Sequence, residues 1–458
     1  QDTCSGERMK VVIVGGAHAA VACAIKTRTE YPDSEIVLYE RQKSIGFAAQ
    51  NIPRYLLGHQ DFSYLFNEQT KAQLENLKIQ VFTQTVVVEL NLGVKKLKVF
   101  DLSQELEEEV TYDKLVLAMG SSPSLPLAQG YVGKNFFIIK RADEAEKLKK
   151  FMQEAHSVLI VGGGAIGAEL AQVMSARGIE TTLLHSSSHL LHNYLDEAVS
   201  DRVRKSLEES GVTVFTDEIV HSITEEADEQ SVRKSSHIQT QKGKQFVADG
   251  VIYATGFLPN SFLVAEQLDL GDKGAIVVND YLQTSQEDVF AVGDCATTRV
   301  KNMKTARYLS HASDALRQGE IAALNLRKPQ RKIPATQSTY KFILGSRHIL
   351  AVTGLNLAKA QSEGFAAAIV SIRDVVVDTH DYVDSWLVYE KKTHKILGYQ
   401  CFGNVEGIAE QADLISLAIQ NDMSIESLEY SDFHFRTTYN NPQSFVKRLA
   451  DEVRIKER

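Results

Sequence analysis

The chain has 458 residues, 43% hydrophobic and 24% charged, with a net charge of −9. That length is too great for one ordinary hydrophobic core and points to two or three domains. The composition excludes a disordered chain, and the lack of a long basic run argues against a nucleic-acid or anionic-membrane partner.

No apolar stretch approaches the roughly 18–20 residues that span a bilayer. The four cysteines, Cys4, Cys23, Cys295 and Cys401, are scattered without zinc or redox spacing, which suits a reducing, cytoplasmic setting. The leader QDTCSGER before Met9 has no hydrophobic stretch and reads as a vector remnant, not a signal peptide.

From Met9 the apolar run Val11–Val14 predicts a strand, Gly15-Gly16 a tight turn, and the small residues from Ala19 a helix. DSEIVLYE then predicts a second strand ending in Glu40. This strand–turn–helix–strand order is the Rossmann arrangement, with pyrophosphate at the helix N-terminus and an acid for the ribose hydroxyls. Its later glycines are replaced by Ala17 and Ala20. The following stretch SIGFAAQNIPRYLLG (44–58) holds no cysteine, histidine or carboxylate.

Further on, YDKLVLAMGSSP (112–123) predicts a buried strand and turn, with Ala118 and Gly120 as candidate cofactor contacts. HSVLIVGGGAIGAELAQVMSARGIETTLLH repeats the first unit with its glycines complete: Gly162, Gly164 and Gly167, with Ile166 between the last two. Its second strand ends in His185 and three serines, with no acid for a ribose 2′-OH and no arginine for a 2′-phosphate. NADH and NADPH are therefore both open. Two such units predict two bound nucleotides and an α/β fold with parallel sheets.

The charged stretch 224–237 reads as a solvated loop at a hairpin tip. ADGVIYATGFLPN (248–260) repeats the strand-and-turn pattern, with Gly256 as a candidate contact. YLQTSQEDVFAVGDCA (281–296) predicts a strand ending in Gly293-Asp294. Beyond about residue 330 the pattern gives strands at 342–352, 367–371, 385–389 and 396–402, then an amphipathic helix at 405–421. The aromatic-rich run 431–442 follows.

Taken together, these motifs resemble the pyridine nucleotide–disulfide oxidoreductases, most closely the NADH oxidase, NADH peroxidase and coenzyme A-disulfide reductase branch. GGAHAA and VFAVGDCA resemble that branch's two FAD motifs; TGLNLAKAQSEGF (353–365) and KKTHKILGYQCFG (391–403) resemble its dimerisation domain. The resemblance implies two Rossmann-like domains, one for FAD (9–119 and 248–328) and one for NAD(P) (120–247). A C-terminal α+β dimerisation domain (329–458) completes a homodimer. FAD would lie on Gly15 and Glu40, with Asp294 beside it at the start of a helix, and NADH or NADPH on Gly162, Gly164 and Gly167.

The chain departs from that branch in three places. Gln50 stands where the branch carries its redox cysteine, and glutamine cannot form a sulfenic acid or a mixed disulfide. Ala165 stands where a tyrosine commonly lids the nicotinamide pocket; it is either drift or an opening of that face. His185 replaces the ribose acid, so that it and Ser186–Ser188 are left as weak donors to a 2′-phosphate.

His18 is kept, either as a helix-start histidine satisfied by backbone or as a group that binds or protonates oxygen species. Phe433, His434, Phe435 and Tyr439 are core residues or walls of the partner's pocket. The expected activity is oxidation of NAD(P)H with electrons passed to a small acceptor, O2 giving H2O2 by default. A reductase for a quinone, a metal ion or a redox protein, and a non-catalytic flavin-binding homodimer, are the alternatives.

Overall fold

A computed structural model describes residues 8–66, 71–125, 129–130, 135–227, 234–344, 348–376, 379–405, 407–436 and 440–458. Lys10–Val14 (β1) is buried along nearly its whole length, and it can only be a central strand covered on both faces. The helix His18–Glu30 (α1) and the strand Glu35–Tyr39 (β2) follow. β1 pairs in parallel with β2, Val12 facing Val37, and on its other side with Lys114–Leu117. Ile79–Phe82 and Val289–Ala291 close the two edges of this five-stranded sheet.

The same construction recurs with Ser157–Val161 (β3), the helix Ala165–Ala176 (α2) and Glu180–Leu184 (β4). Its parallel sheet runs in the order Phe136–Ile138, Gly250–Tyr253, β3, β4, Val212–Phe215. Each sheet therefore draws a strand from a distant part of the chain, as a right-handed parallel crossover fold permits. The helix Ala312–Asn325 (α3) lies against α1, where Gly319 allows contact: a Cβ there would sit 2.3 Å from the Ala19 carbonyl oxygen.

The C-terminal part is a five-stranded antiparallel sheet, ordered Tyr340–Leu344, His348–Gly354, Ile396–Gly403, Tyr382–Glu390, Ala367–Val375. Helices Ile408–Gln420 (α4) and Phe445–Lys456 (α5) cover one face. The other face puts Phe342, Trp386 and Phe402 into the core of the second nucleotide unit. Burial on both sides explains why Ile396–Gly403 carries no polar alternation.

Several expectations change. The strand expected at 342–352 is two strands of a hairpin; the strands expected at 367–371 and 385–389 are longer, each pairing with the other over nine residues. The helix expected at 405–421 starts at Ile408, after the left-handed Gly407. In the stretch expected as a loop, residues 224–227 and 234–237 are paired strand, and only 228–233 lie outside the described residues. α5 was not expected at all.

Candidate functional site

A cavity of about 1900 Å³ runs between the two nucleotide units and the C-terminal sheet. Its lining includes Glu40, which follows β2 and accepts the Gln42 N–H at 2.7 Å and the Gly16 N–H. Burial raises its pKa, and those backbone donors partly offset the rise. Gly15 (φ +118°) makes the turn possible, since a Cβ there would lie 2.1 Å from the Ala118 carbonyl oxygen. Ala17 is the N-cap of α1, and Ala20 packs its methyl into the core at 1% exposure. Gly15, Ala17 and Ala118 all line the cavity, as does Gly120, whose missing Cβ has nothing within 4 Å.

Also in the lining, Asp294 Oδ2 accepts hydrogen bonds from Ser310 Oγ (2.6 Å), Ser121 Oγ (2.7 Å) and Lys140 Nζ (3.2 Å). The expected helix at this point is absent: Gly293–Cys295 is one 3-10 turn that leads into the short strand Thr297–Thr298. The β-branched pair after Cys295 favours strand, and the helix whose N-terminus lines the cavity is α3, beginning at Ala312.

The structure brings together in the same lining the two residues singled out for chemistry. His18 opens α1, and Gln50 lies in the 3-10 turn Ala49–Asn51. His18 Nε2 is 3.3 Å from Gln50 Oε1 and 3.2 Å from Gln50 Nε2. Asn51 Nδ2 anchors the turn by donating to the Tyr64 carbonyl at 2.7 Å. No thiol is near. Cys23, Cys295 and Cys401 are all fully buried, and burial pushes them up to about 12, 11 and 12. A thiol that stays protonated is neither nucleophile nor redox store.

In the second unit Gly162 (φ +113°) repeats the role of Gly15, with a Cβ 2.3 Å from the Ala254 carbonyl oxygen. Gly164 caps α2 with open space where a Cβ would be. Gly167 admits none at all, its Cβ lying 1.8 Å from the Gly162 carbonyl oxygen. Ile166 lines the cavity and, with Ala254 and the left-handed Gly256 (φ +96°), a small pocket beside it. His185 is a correction. Its ring does not present a free donor to the groove, because it is 6% exposed and Nδ1 accepts the Gly163 N–H at 3.0 Å.

Sequence reasoning missed three cavity residues. Glu169, on α2 two residues past Gly167, is pushed up to about 7 by burial. His311 and Asp314 stand at the start of α3, with His311 Nε2 3.4 Å from Tyr194 Oη and Nδ1 3.6 Å from Asp314 Oδ2. An ionisable residue in the first turns after a dinucleotide glycine is a readable signal for Glu169; His311 and Tyr194 are far apart in sequence and gave none. Phe433, His434 and Phe435 do not line this cavity, and Tyr439 lies outside the described residues. Among the described residues no group of three His, Cys, Asp or Glu side chains is placed to hold a metal, and no helix is long and apolar enough to cross a membrane.

The cavity has the lining of a dinucleotide site: an acid, Glu40, side-chain-free glycines at Gly15 and Gly120, and the polar pair His18 and Gln50. Two glycine turns of the Rossmann kind, one on each sheet, define a two-nucleotide oxidoreductase. Comparison with known proteins places it: the model of the pyridine nucleotide-disulphide oxidoreductase family matches residues 9–319, and the chain belongs to that family. It is an FAD-dependent NAD(P)H oxidoreductase.

Among its relatives is an NADH oxidase of Enterococcus faecalis, 33% identical over 447 residues, covering 96% of this chain and 98% of that one. An NADH oxidase of Streptococcus pyogenes is 31% identical with the same coverage. The solved water-forming NADH oxidase from Lactobacillus brevis, bound to NADH, superposes with a TM-score of 0.93 at 30% identity, covering 98% of this chain and 99% of that one.

Proposed function

We propose that the protein is an NAD(P)H oxidase that reduces O2 by two electrons to hydrogen peroxide, without a redox cysteine. The observation that carries this reading is the His18–Gln50 pair at the cavity end where the resembled branch holds its thiol. Every cysteine among the described residues is buried and held protonated. The reaction balances as NAD(P)H + H⁺ + O2 giving NAD(P)⁺ + H2O2, and water formation needs a second pair of electrons that none of the three described thiols, all buried, is placed to store.

Gly15, Ala17, Glu40, Ala118, Gly120 and Asp294 hold FAD in this reading, and Gly162, Gly164, Ile166 and Gly256 hold the nicotinamide nucleotide; Ala20 and Gly167, expected as contacts, instead pack their helices. When bound, the flavin accepts hydride from the nicotinamide and hands electrons on. The protein's part is orientation, exclusion of water and proton supply. His18 Nε2 and the Gln50 amide form one polar pair in the cavity lining, which can hydrogen-bond a small oxygen species. Glu169, pushed up to about 7 by burial, keeps negative charge off its part of the cavity wall below neutral pH.

Relatives described as NADH oxidases support the oxidase reading, and the water-forming L. brevis enzyme defines the competing outcome. An oxygen-electrode run with catalase separates the two. Catalase should return half of the oxygen consumed, from the stoichiometry of two-electron reduction. Return of none, with no peroxide scavenging by the protein itself, overturns the reading.

The same proposal includes the three-part division at 9–119 with 248–328, 120–247 and 329–458, and a homodimer built on the C-terminal part. Ile343 and Leu417, 66% and 58% exposed on the C-terminal sheet and on α4, support such an interface. Sedimentation at nanomolar concentration should show a dimer. A monomer with full activity contradicts it.

A further inference from the structure

Oxidation of NAD(P)H moves a hydride, two electrons with one proton, and so leaves one negative charge in the cavity until an acceptor removes it. His311 is placed to hold the matching proton. It precedes the first turn of α3, caps no backbone group with its side chain, and is 5% exposed while still lining the cavity. Its two ring nitrogens differ. Nε2 stands 3.4 Å from Tyr194 Oη, with the rings stacked and their centroids 6.1 Å apart. Among the described residues Nδ1 has no hydrogen-bond partner: Asp314 Oδ2, at 3.6 Å, is within ion-pair reach only. A buried nitrogen left unmatched costs stability, so packing alone does not account for a histidine here.

Three parts of the chain meet at this ring. Tyr194 comes from the second unit, and Lys359 Nζ lies 5.9 Å from its ring centroid. Tyr340 comes from the C-terminal sheet, its ring 5.5 Å from that of His311 and its hydroxyl within the field of Glu169. α3 brings Asp314, whose carboxylate also receives Arg317 Nη2 and, at 3.1 Å, Thr336 Oγ1. On the N-terminal side Ser310 is tied to Asp294. Burial raises the Asp314 carboxyl, but His311 and Arg317 outweigh it and hold the group below its ordinary range, so the carboxylate is a fixed negative charge. The N-terminus of α3 works against a standing cation beside it, and a second negative charge, in the cavity, favours one. Taking the proton moves no heavy atom. Tyr194 O–H donates to Nε2 of the neutral ring, and the same oxygen accepts from Nε2–H of the charged ring.

We propose that His311 takes up the solvent proton of the reaction as hydride leaves NAD(P)H, and releases it when the acceptor removes the electrons. One hydride passes from NAD(P)H to the bound flavin and one proton from solvent to His311. The acceptor then gains two electrons and two protons, and NAD(P)⁺ is left. The proposal rests on NAD(P)H oxidation by the flavin and not on the identity of the acceptor.

The test is anaerobic. FAD-loaded protein is mixed with one equivalent of NADH or NADPH in weak buffer near neutral pH; flavin bleaching reports hydride transfer, and an indicator dye reports proton uptake. The unmodified protein should take up about half a proton or more per flavin bleached, the difference in bound protons between the two states. His311→Gln should still bleach and lose most of that uptake. Tyr194→Phe, which leaves Nε2–H without its oxygen, should lower it by about half. No bleaching by either nucleotide, no uptake by the unmodified protein, uptake retained in His311→Gln, or uptake lost equally in Glu169→Gln overturns the proposal. Should His311→Gln not retain FAD, unchanged uptake in Tyr194→Phe overturns it and lowered uptake supports it. Oxygen is absent throughout, so the catalase result is independent.

Discussion

The two nucleotide units solve one packing problem in two places. Each must bring a helix close to a glycine turn at the end of its first strand. In the second unit Gly167 does this directly: no side chain fits between α2 and the Gly162 carbonyl. In the first unit the matching residue is Ala20, whose methyl is accommodated in the core. There the tight contact has moved to the far side of α1, where Gly319 of α3 lies against the Ala19 carbonyl. A degraded glycine motif is thus not a failed one; the close approach has been transferred to another helix.

This comparison is easiest to break at its glycines. Gly167→Ala and Gly319→Ala each force a Cβ into backbone, and each should lower stability by about 3 kcal/mol or more, read from denaturant unfolding midpoints. Equal tolerance of both would mean that the helices are free to shift.

A smaller effect tests the polar side. Glu169 has a folded pKa of about 7 against an ordinary value of 4.5. The folded chain therefore holds its proton longer than the unfolded chain, and stability falls as pH rises from about 4.5 to about 7. His185, at about 4 against 6.5, has the opposite dependence: its penalty grows as pH falls from about 6.5 to about 4. With the cavity wall partly wetted, Glu169→Gln should remove on the order of 2 kcal/mol of the high-pH loss. An unchanged pH profile of the unfolding midpoint would show that the carboxyl is not desolvated.

The smallest effect is Ala20→Gly. It loses one buried methyl and gains helix entropy cost, about 1–2 kcal/mol together, and should leave α1 in place. A loss as large as that of Gly167→Ala would mean that the methyl itself is the fulcrum of the first unit.

Both units were legible in the sequence because strand, glycine turn and helix are contiguous, so local physics writes them into one short stretch. The pairing of His18 with Gln50 was reached only through family resemblance, since nothing local links the two. His311, Tyr194 and Asp314 were illegible for the same reason. The helix after Asp294 was a misreading: resemblance suggested it, although Thr297-Thr298 favoured strand. α5 could have been read. Ser444 caps it by accepting the Lys447 N–H, and Val446, Leu449, Ala450 and Val453 recur at helical spacing, all buried.

The burial of the three described thiols has a consequence for endurance. An oxidase that releases peroxide within its own walls exposes itself to its product at high local concentration. Sulfur is the side-chain element peroxide attacks first, and the attack needs a thiolate in contact with solvent. Among the described residues each of the three thiols is sealed in a core; Cys295, within the second FAD-like motif, donates to the Leu117 and Val292 carbonyls at 3.3 and 3.4 Å. Under the peroxide reading proposed above, the arrangement that removes a catalytic thiol also withdraws the three described thiols from oxidation by the product.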